Sequence, residues 1–189
     1  MPISEYSKDE KELSPGETAI IKIHSTQRDM TGTGFFGEAV LRGDSPEEIL
    51  EAAEQRSAEA ENGVYIFTTE GNYITGDRFS VSYNEDELSR DGICQTEISF
   101  SKCSPKCVTI TRSGTLSSSF IIEEGKRQYS VYKTPYGALE MCVYARRVDN
   151  RLTENGGLLI LDYAVELKGM TAQRTKMRVD VKVKNENEA

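Results

Sequence analysis

Apolar and polar residues alternate over most of this chain with a period of two, the signature of strands that bury one face and wet the other. Ala19-Ile20-Ile21-Lys22-Ile23-His24 opens the pattern and predicts a strand running to about Met30. Val64 to Ile74, interrupted by Gly71, predicts a second. Gly76-Asp77 turns the chain into Arg78–Tyr83, and strands follow at 94–101, 107–112, 118–123 and 128–133. Leu139, Met141 and Val143 share one parity in a strand over 136–147. Leu159, Leu161, Tyr163, Val165 and Leu167 do so over 158–168, and Met177, Val179, Val181 and Val183 over 171–184. Connections are short and carry Ser104-Pro105, Ser113-Gly114, Gly125-Lys126 and Asn155-Gly156-Gly157, so successive strands form hairpins. The expected fold is all-β with one inserted helix: an antiparallel up-and-down barrel of about 8–10 strands. Closure removes the two exposed edges that an open meander would leave.

Two stretches depart from the alternation. Residues 1–18 are polar, charged and punctuated by Pro15-Gly16, and are expected to be a flexible acidic tail, leaving 19–189 as a single barrel domain. Residues 31–62 begin with Gly32, Gly34 and Gly37 around Phe35-Phe36, then continue through Ser45-Pro46-Glu47-Glu48. Serine before proline before two acids is a helix start, and Asn62-Gly63 a stop, so a helix is expected at about 46–60. Its apolar stripe (Ile49, Ala52, Ala53, Ala60) is too thin to anchor a core and suits a lid or an edge cover.

Charge sharpens the division. Of 31 acids and 23 bases in 189 residues, residues 1–62 hold 14 acids and 6 bases, so the whole net charge of −8 belongs to that third. An acidic total disfavours nucleic acid as a partner. No apolar run is long enough for a membrane span, and the first residues lack the basic head and apolar middle of a secretion signal, so the expected compartment is the cytoplasm. Four cysteines in that setting are expected to be reduced thiols.

Thr111-Arg112-Ser113-Gly114, Tyr132-Lys133-Thr134-Pro135-Tyr136-Gly137-Ala138-Leu139-Glu140, and Gly157-Leu158-Leu159 leading to Asp162-Tyr163 form a set with a known counterpart. They resemble the YwiB-like bacterial proteins, a family of unknown function. Thr69-Glu70-Gly71-Asn72-Tyr73 and Val81-Ser82-Tyr83 are similar to that family's first hairpin. The resemblance implies a lipocalin-like (calycin) barrel of bacterial, cytosolic origin. It implies no catalytic residue and no cofactor, and it leaves 31–62 as an insertion.

The residues themselves offer a few sites. Arg112 has the parity of Val108 and Ile110, so a barrel that buries those residues draws the guanidinium inward. A charge placed there needs a carboxylate, such as Glu140, or a bound anion near one mouth. Tyr83, Tyr136 and Tyr163 could supply hydroxyls to the same cavity, or simply pack with their hydroxyls at the rim. These five residues are the candidate ligand-binding set. Cys103 and Cys107 bracket a turn as half of a zinc site with no second half, or as a redox pair whose thiols Lys102 and Lys106 could acidify. His24, the only histidine, shares a parity with Lys22 and Thr26 that suggests a solvated face. No acid–base or metal constellation assembles at short spacing, so no catalytic residue and no metal are expected. Two functions remain. One is a small cytosolic barrel holding an apolar or amphipathic molecule. The other is a packed barrel acting as a structural or interaction module, which meets a protein partner through the acidic helix.

Overall fold

The computed structural model describes residues 16–30, 62–85, 94–114, 117–134 and 137–184, with the side chains of 62, 132–134 and 137–139 excepted. The 31–62 insertion and its helix lie outside the described residues apart from residue 62, as does the expected 1–18 tail up to residue 15; Glu17 and Thr18, expected in that tail, instead open strand β1, where they pair with Tyr73 and Asn72. Ten strands follow in chain order: β1 (Glu17–Asp29), β2 (Asn62–Ile74), β3 (Arg78–Asn84), β4 (Gln95–Ser101), β5 (Cys107–Ser113), β6 (Ser118–Glu123), β7 (Arg127–Thr134), β8 (Gly137–Thr153), β9 (Gly156–Leu167) and β10 (Met170–Val183).

They form one antiparallel sheet in the order β6-β5-β4-β3-β2-β1-β10-β9-β8-β7. Every pair of neighbours is consecutive in the chain except β1 and β10, the first and last strands, which pair along their length from Ala19 opposite Val183 to Asp29 opposite Gln173. That pairing joins the two ends of the meander and bends the sheet into a nearly closed barrel. The remaining seam falls between β6 and β7. No ladder crosses it, but β6 lies against both β7 and β8. Side chains stitch it: Ser130 Oγ donates to the Ser119 carbonyl at 3.0 Å and Gln128 Nε2 to Glu123 Oε2 at 3.0 Å. The β6–β7 turn also docks on β8, with the Gly125 N–H on the Ala145 carbonyl at 2.9 Å and the Val148 N–H on Glu124 Oε2 at 2.9 Å.

Parity decides what the barrel encloses. Ala19, Ile21 and Ile23 of β1, Phe79 and Val81 of β3, Ile98 and Phe100 of β4, Val108 and Ile110 of β5, and Leu159 and Leu161 of β9 all point inward and are buried. At the end of the tight turns this interior is solid. Phe79 and Phe100 stack with centroids 5.1 Å apart, Tyr73 packs on Phe79 at 6.2 Å, and the Tyr73 hydroxyl donates to the Thr153 carbonyl at 2.7 Å. Each such side chain contributes on the order of 1.5–3 kcal/mol by leaving water.

β8 runs beyond its expected end at 147, to Thr153. The register shifts between Ala145 and Arg147, a β-bulge that resets the parity and brings Val148 inside opposite Leu161. Asp149-Asn150-Arg151 therefore continues the strand, where the bare sequence resembles a loop.

Gly71 is required by close approach. A methyl there would meet the end of Ile21 and the carbonyl of Ser82, with Tyr83 Cβ 3.2 Å away. Gly71→Ala is expected to lower unfolding stability in urea by about 1–3 kcal/mol, the usual scale of overpacking a filled interior. An unchanged midpoint would show that the β1–β2–β3 wall is not packed as described.

Candidate functional site

The opposite end of the barrel carries the two longest connections, after β1 and after β3, and its interior is chemically different. Inward positions on β1 change from Ile21 and Ile23 to Ser25, Gln27 and Asp29; those on β10 change from Val179 and Val181 to Thr175 and Gln173. Ser25, Asp29, Thr175 and Gln173 are all buried. Such residues need polar partners. Gln173 Nε2 donates to Thr175 Oγ1 at 3.0 Å and to Gln27 Oε1 at 3.3 Å.

Across the barrel, hydrogen-bonded neighbours line up at one level: Gly71 beside Tyr83, Tyr83 beside Thr96, Thr96 beside Arg112. Glu85 lies just past β3, where its N–H donates to the Cys94 carbonyl at 2.7 Å and keeps the chain in register. Two residues beyond Tyr83, it has the same inward parity. Its carboxylate accepts from Thr96 Oγ1 at 2.8 Å and sits 3.6 Å from Arg112 Nη2. The Glu85 side chain is 4% exposed and that of Arg112 40%, so the pair lies where the interior meets solvent.

Two polar atoms in this cluster have no hydrogen-bond partner though sealed from solvent: Arg112 Nε and the Tyr83 hydroxyl. The Tyr83 hydroxyl feels both the Glu85 charge and a marginal approach to its carboxylate, short of a well-formed hydrogen bond. Burial, then Glu85, pushes the Tyr83 phenol above its ordinary pKa, with Arg112 pulling the other way. Tyr163 on β9, across from Thr175, is likewise raised, first by burial and then by Glu85, against Arg112 and Thr175. Burial is the largest single effect on Arg112 and works against its charge, but Glu85, Tyr163, Tyr83 and Cys94 together outweigh it and hold the guanidinium above its ordinary value. The cluster therefore presents O–H and N–H donors around the Arg112–Glu85 pair. Donation and positioning are what such an arrangement can do. Among the described residues no group of three His, Cys, Asp or Glu could hold a metal.

Of the five candidate residues, the structure brings Arg112, Tyr83 and Tyr163 within electrostatic reach of one another. Glu140 is elsewhere. It is exposed on β8 opposite the outward Val131, because its neighbour Met141 takes the inward parity. The acid that faces Arg112 is Glu85, not Glu140. Tyr136 lies outside the described residues. Glu85, Thr96, Gln173 and Thr175 escaped the sequence reading, although parity with Tyr83 and with Val179 was the signal that could have found them.

Other candidates lie outside the barrel. His24 borders a shallow depression of about 120 Å³ with Thr26, Lys176 and Arg178. A depression of about 520 Å³ near Lys106, Glu124, Arg146 and Arg147 overlies the β8 bulge, and four of its charges are engaged with one another: Lys106 with Glu124, and Arg147 with Asp149 at 2.7 Å. All four cysteines are free. The expectation that lysines acidify the Cys103–Cys107 turn fails for Cys107, whose thiol is raised, first by burial and then by Glu123. Lys106 is drawn to Glu124 instead, and Lys102 to Glu154 at 3.1 Å. On the outer wall Arg178 is held by its own strand neighbour Asp180 at 2.6 Å, and Glu166 by Arg127. No helix among the described residues is long and apolar enough to cross a membrane.

Removing Glu85 and removing the Tyr83 hydroxyl should have opposite consequences for folding. Glu85→Ala leaves the Arg112 charge uncompensated and is expected to cost about 1–3 kcal/mol in urea, since Arg112 is only partly withdrawn from water. Tyr83→Phe deletes a buried hydroxyl that bonds to nothing and is expected to be neutral or slightly stabilising. A large loss for Tyr83→Phe would mean that the hydroxyl has a partner.

The solved structure of the ywiB protein from Bacillus subtilis is similar, with a TM-score of 0.64 and 16% identity over 92% of this chain and 96% of that one. At that identity the likeness speaks for the fold. The sequence matches no curated protein. A family model described as a domain of unknown function, DUF1934, matches residues 50–179, beginning within the stretch expected to be inserted. The chain thus belongs to the DUF1934 family of uncharacterised proteins.

Proposed function

We propose that this protein is a lipocalin-like binding protein of the bacterial cytoplasm, which holds a small amphipathic molecule in the loop-bearing mouth of its barrel. The observation that carries this reading is the pair of sealed, partnerless donors, Arg112 Nε and the Tyr83 hydroxyl, on groups within electrostatic reach of each other. A buried donor with no acceptor costs on the order of 1–3 kcal/mol. Folding alone gives no reason to keep two together, whereas a ligand oxygen would satisfy both.

The surroundings suit such a ligand. Phe67 packs against Tyr83 at 5.9 Å, and Phe67, Phe120 and Tyr163 are only partly buried where they meet the core. An apolar portion would lie on these rings and a polar head would reach the donors, the usual division of a small-molecule site. The tight-turn half of the barrel is filled by side chains, so the ligand occupies the mouth and does not thread the axis. A barrel that served only as an interaction module would be expected to pack or pair its mouth as fully as that other half, and the orphan donors argue against it.

Native mass spectrometry of protein purified without detergent or organic solvent is the test. A bound adduct of a few hundred daltons, reduced by Arg112→Ala, is expected. A single unliganded mass from several preparations would count against the reading.

A further inference from the structure

Resting on that reading, we infer that the mouth selects an uncharged head group bearing an acceptor oxygen, such as an amide, ester or alcohol, and that Glu85 is the residue that sets this selection.

A lone arginine in a half-closed mouth would recruit a carboxylate or a phosphate. This arginine is not alone. Glu85 lies 3.6 Å from its Nη2, more buried than Arg112 itself and fixed by Thr96. An anion brought to the guanidinium therefore also approaches the Glu85 carboxylate. Unit charges about 4 Å apart interact by roughly 4 kcal/mol at the effective dielectric of a protein surface, and attraction and repulsion of that size largely cancel. What remains is the cost of stripping water from the anion, with little to offset it.

A neutral oxygen avoids that cost. The donors still unspent are Arg112 Nε–H and the Tyr83 O–H, the latter on a residue only 2% exposed. Both are hydrogen-bond donors of fixed position. Tyr83 is held by its ring contact with Phe67 and by the tight fit of its Cβ beside Gly71, and Arg112 by its strand pairing opposite Thr96. One carbonyl or hydroxyl oxygen has two lone pairs and can accept from both. Sites built to hydrogen-bond a particular group discriminate strongly, because a ligand without it leaves buried groups unpaired.

Calorimetric titration with octanamide and with octanoate at pH 8 compares heads that share a chain length and differ in charge. Octanamide is expected to bind wild-type protein at least tenfold more tightly. Glu85→Gln, which keeps the shape and removes the charge, is expected to reverse the preference. Tyr83→Phe is expected to weaken octanamide about tenfold or more with folding intact. Octanoate binding as well as or better than octanamide to wild-type protein would overturn the selection by charge while leaving a small-molecule site in place. Binding of neither would overturn both the inference and the proposed function. The wild-type comparison needs no variant, so poor folding of Glu85→Gln would not remove the test.

Discussion

A closed sheet has one interior, and each residue along a strand is committed by parity to that interior or to the outside. Inward positions must therefore be filled with apolar atoms, paired, or left open to water. This barrel uses the first solution at its tight-turn end, where Tyr73, Phe79, Phe100 and Leu159 leave the interior solid. At the loop end it uses the second, with Thr96, Glu85, Gln173 and Thr175 joined by hydrogen bonds. Arg112 falls between the solutions: an inward charge with one carboxylate neighbour, its Nε sealed and its tip near water.

Closure makes that commitment binding. The β1–β10 pairing turns a meander into a ring, and the side-chain stitches at the β6–β7 seam hold it nearly shut. A shift of one residue in β5 would turn Arg112 outward and one in β1 would bury Lys22, so the apolar positions of each strand also fix the register of its polar ones. The same logic accounts for a shared fold at 16% identity with the ywiB protein from Bacillus subtilis. Parity asks only that inward residues be apolar and of the right size, a demand that many sequences satisfy. It asks nothing for Arg112 or Tyr83, which is why their placement is informative about function.

Much of the fold was legible because alternation is a local signal. Nine of the ten strands fall close to their expected bounds, and Arg112, Tyr83 and Tyr163 have the parity that the pattern assigns them. What was lost depended on contacts between distant residues or on departures from regular pairing. The bulge at Ala145/Arg147 hides the last part of β8, since a resetting of parity looks like its end. Glu85 sits in an acidic stretch that resembles a solvated loop, and its inward parity counts only because its main-chain bond to Cys94 carries the ladder one step past β3. Glu140 looked like a partner for Arg112 because both are charged and on strands, yet its own parity with respect to Met141 points it outward.

The central claim is that two donors without a partner, Arg112 Nε and the Tyr83 hydroxyl, are satisfied by a ligand atom. The most direct measurement is the proton–nitrogen NMR signal of Arg112 Nε, assigned with Arg112→Lys and followed during titration with octanamide. A saturable downfield movement of that signal, tracking the binding isotherm, is predicted. A signal that stays in place while octanamide saturates the protein would contradict the account.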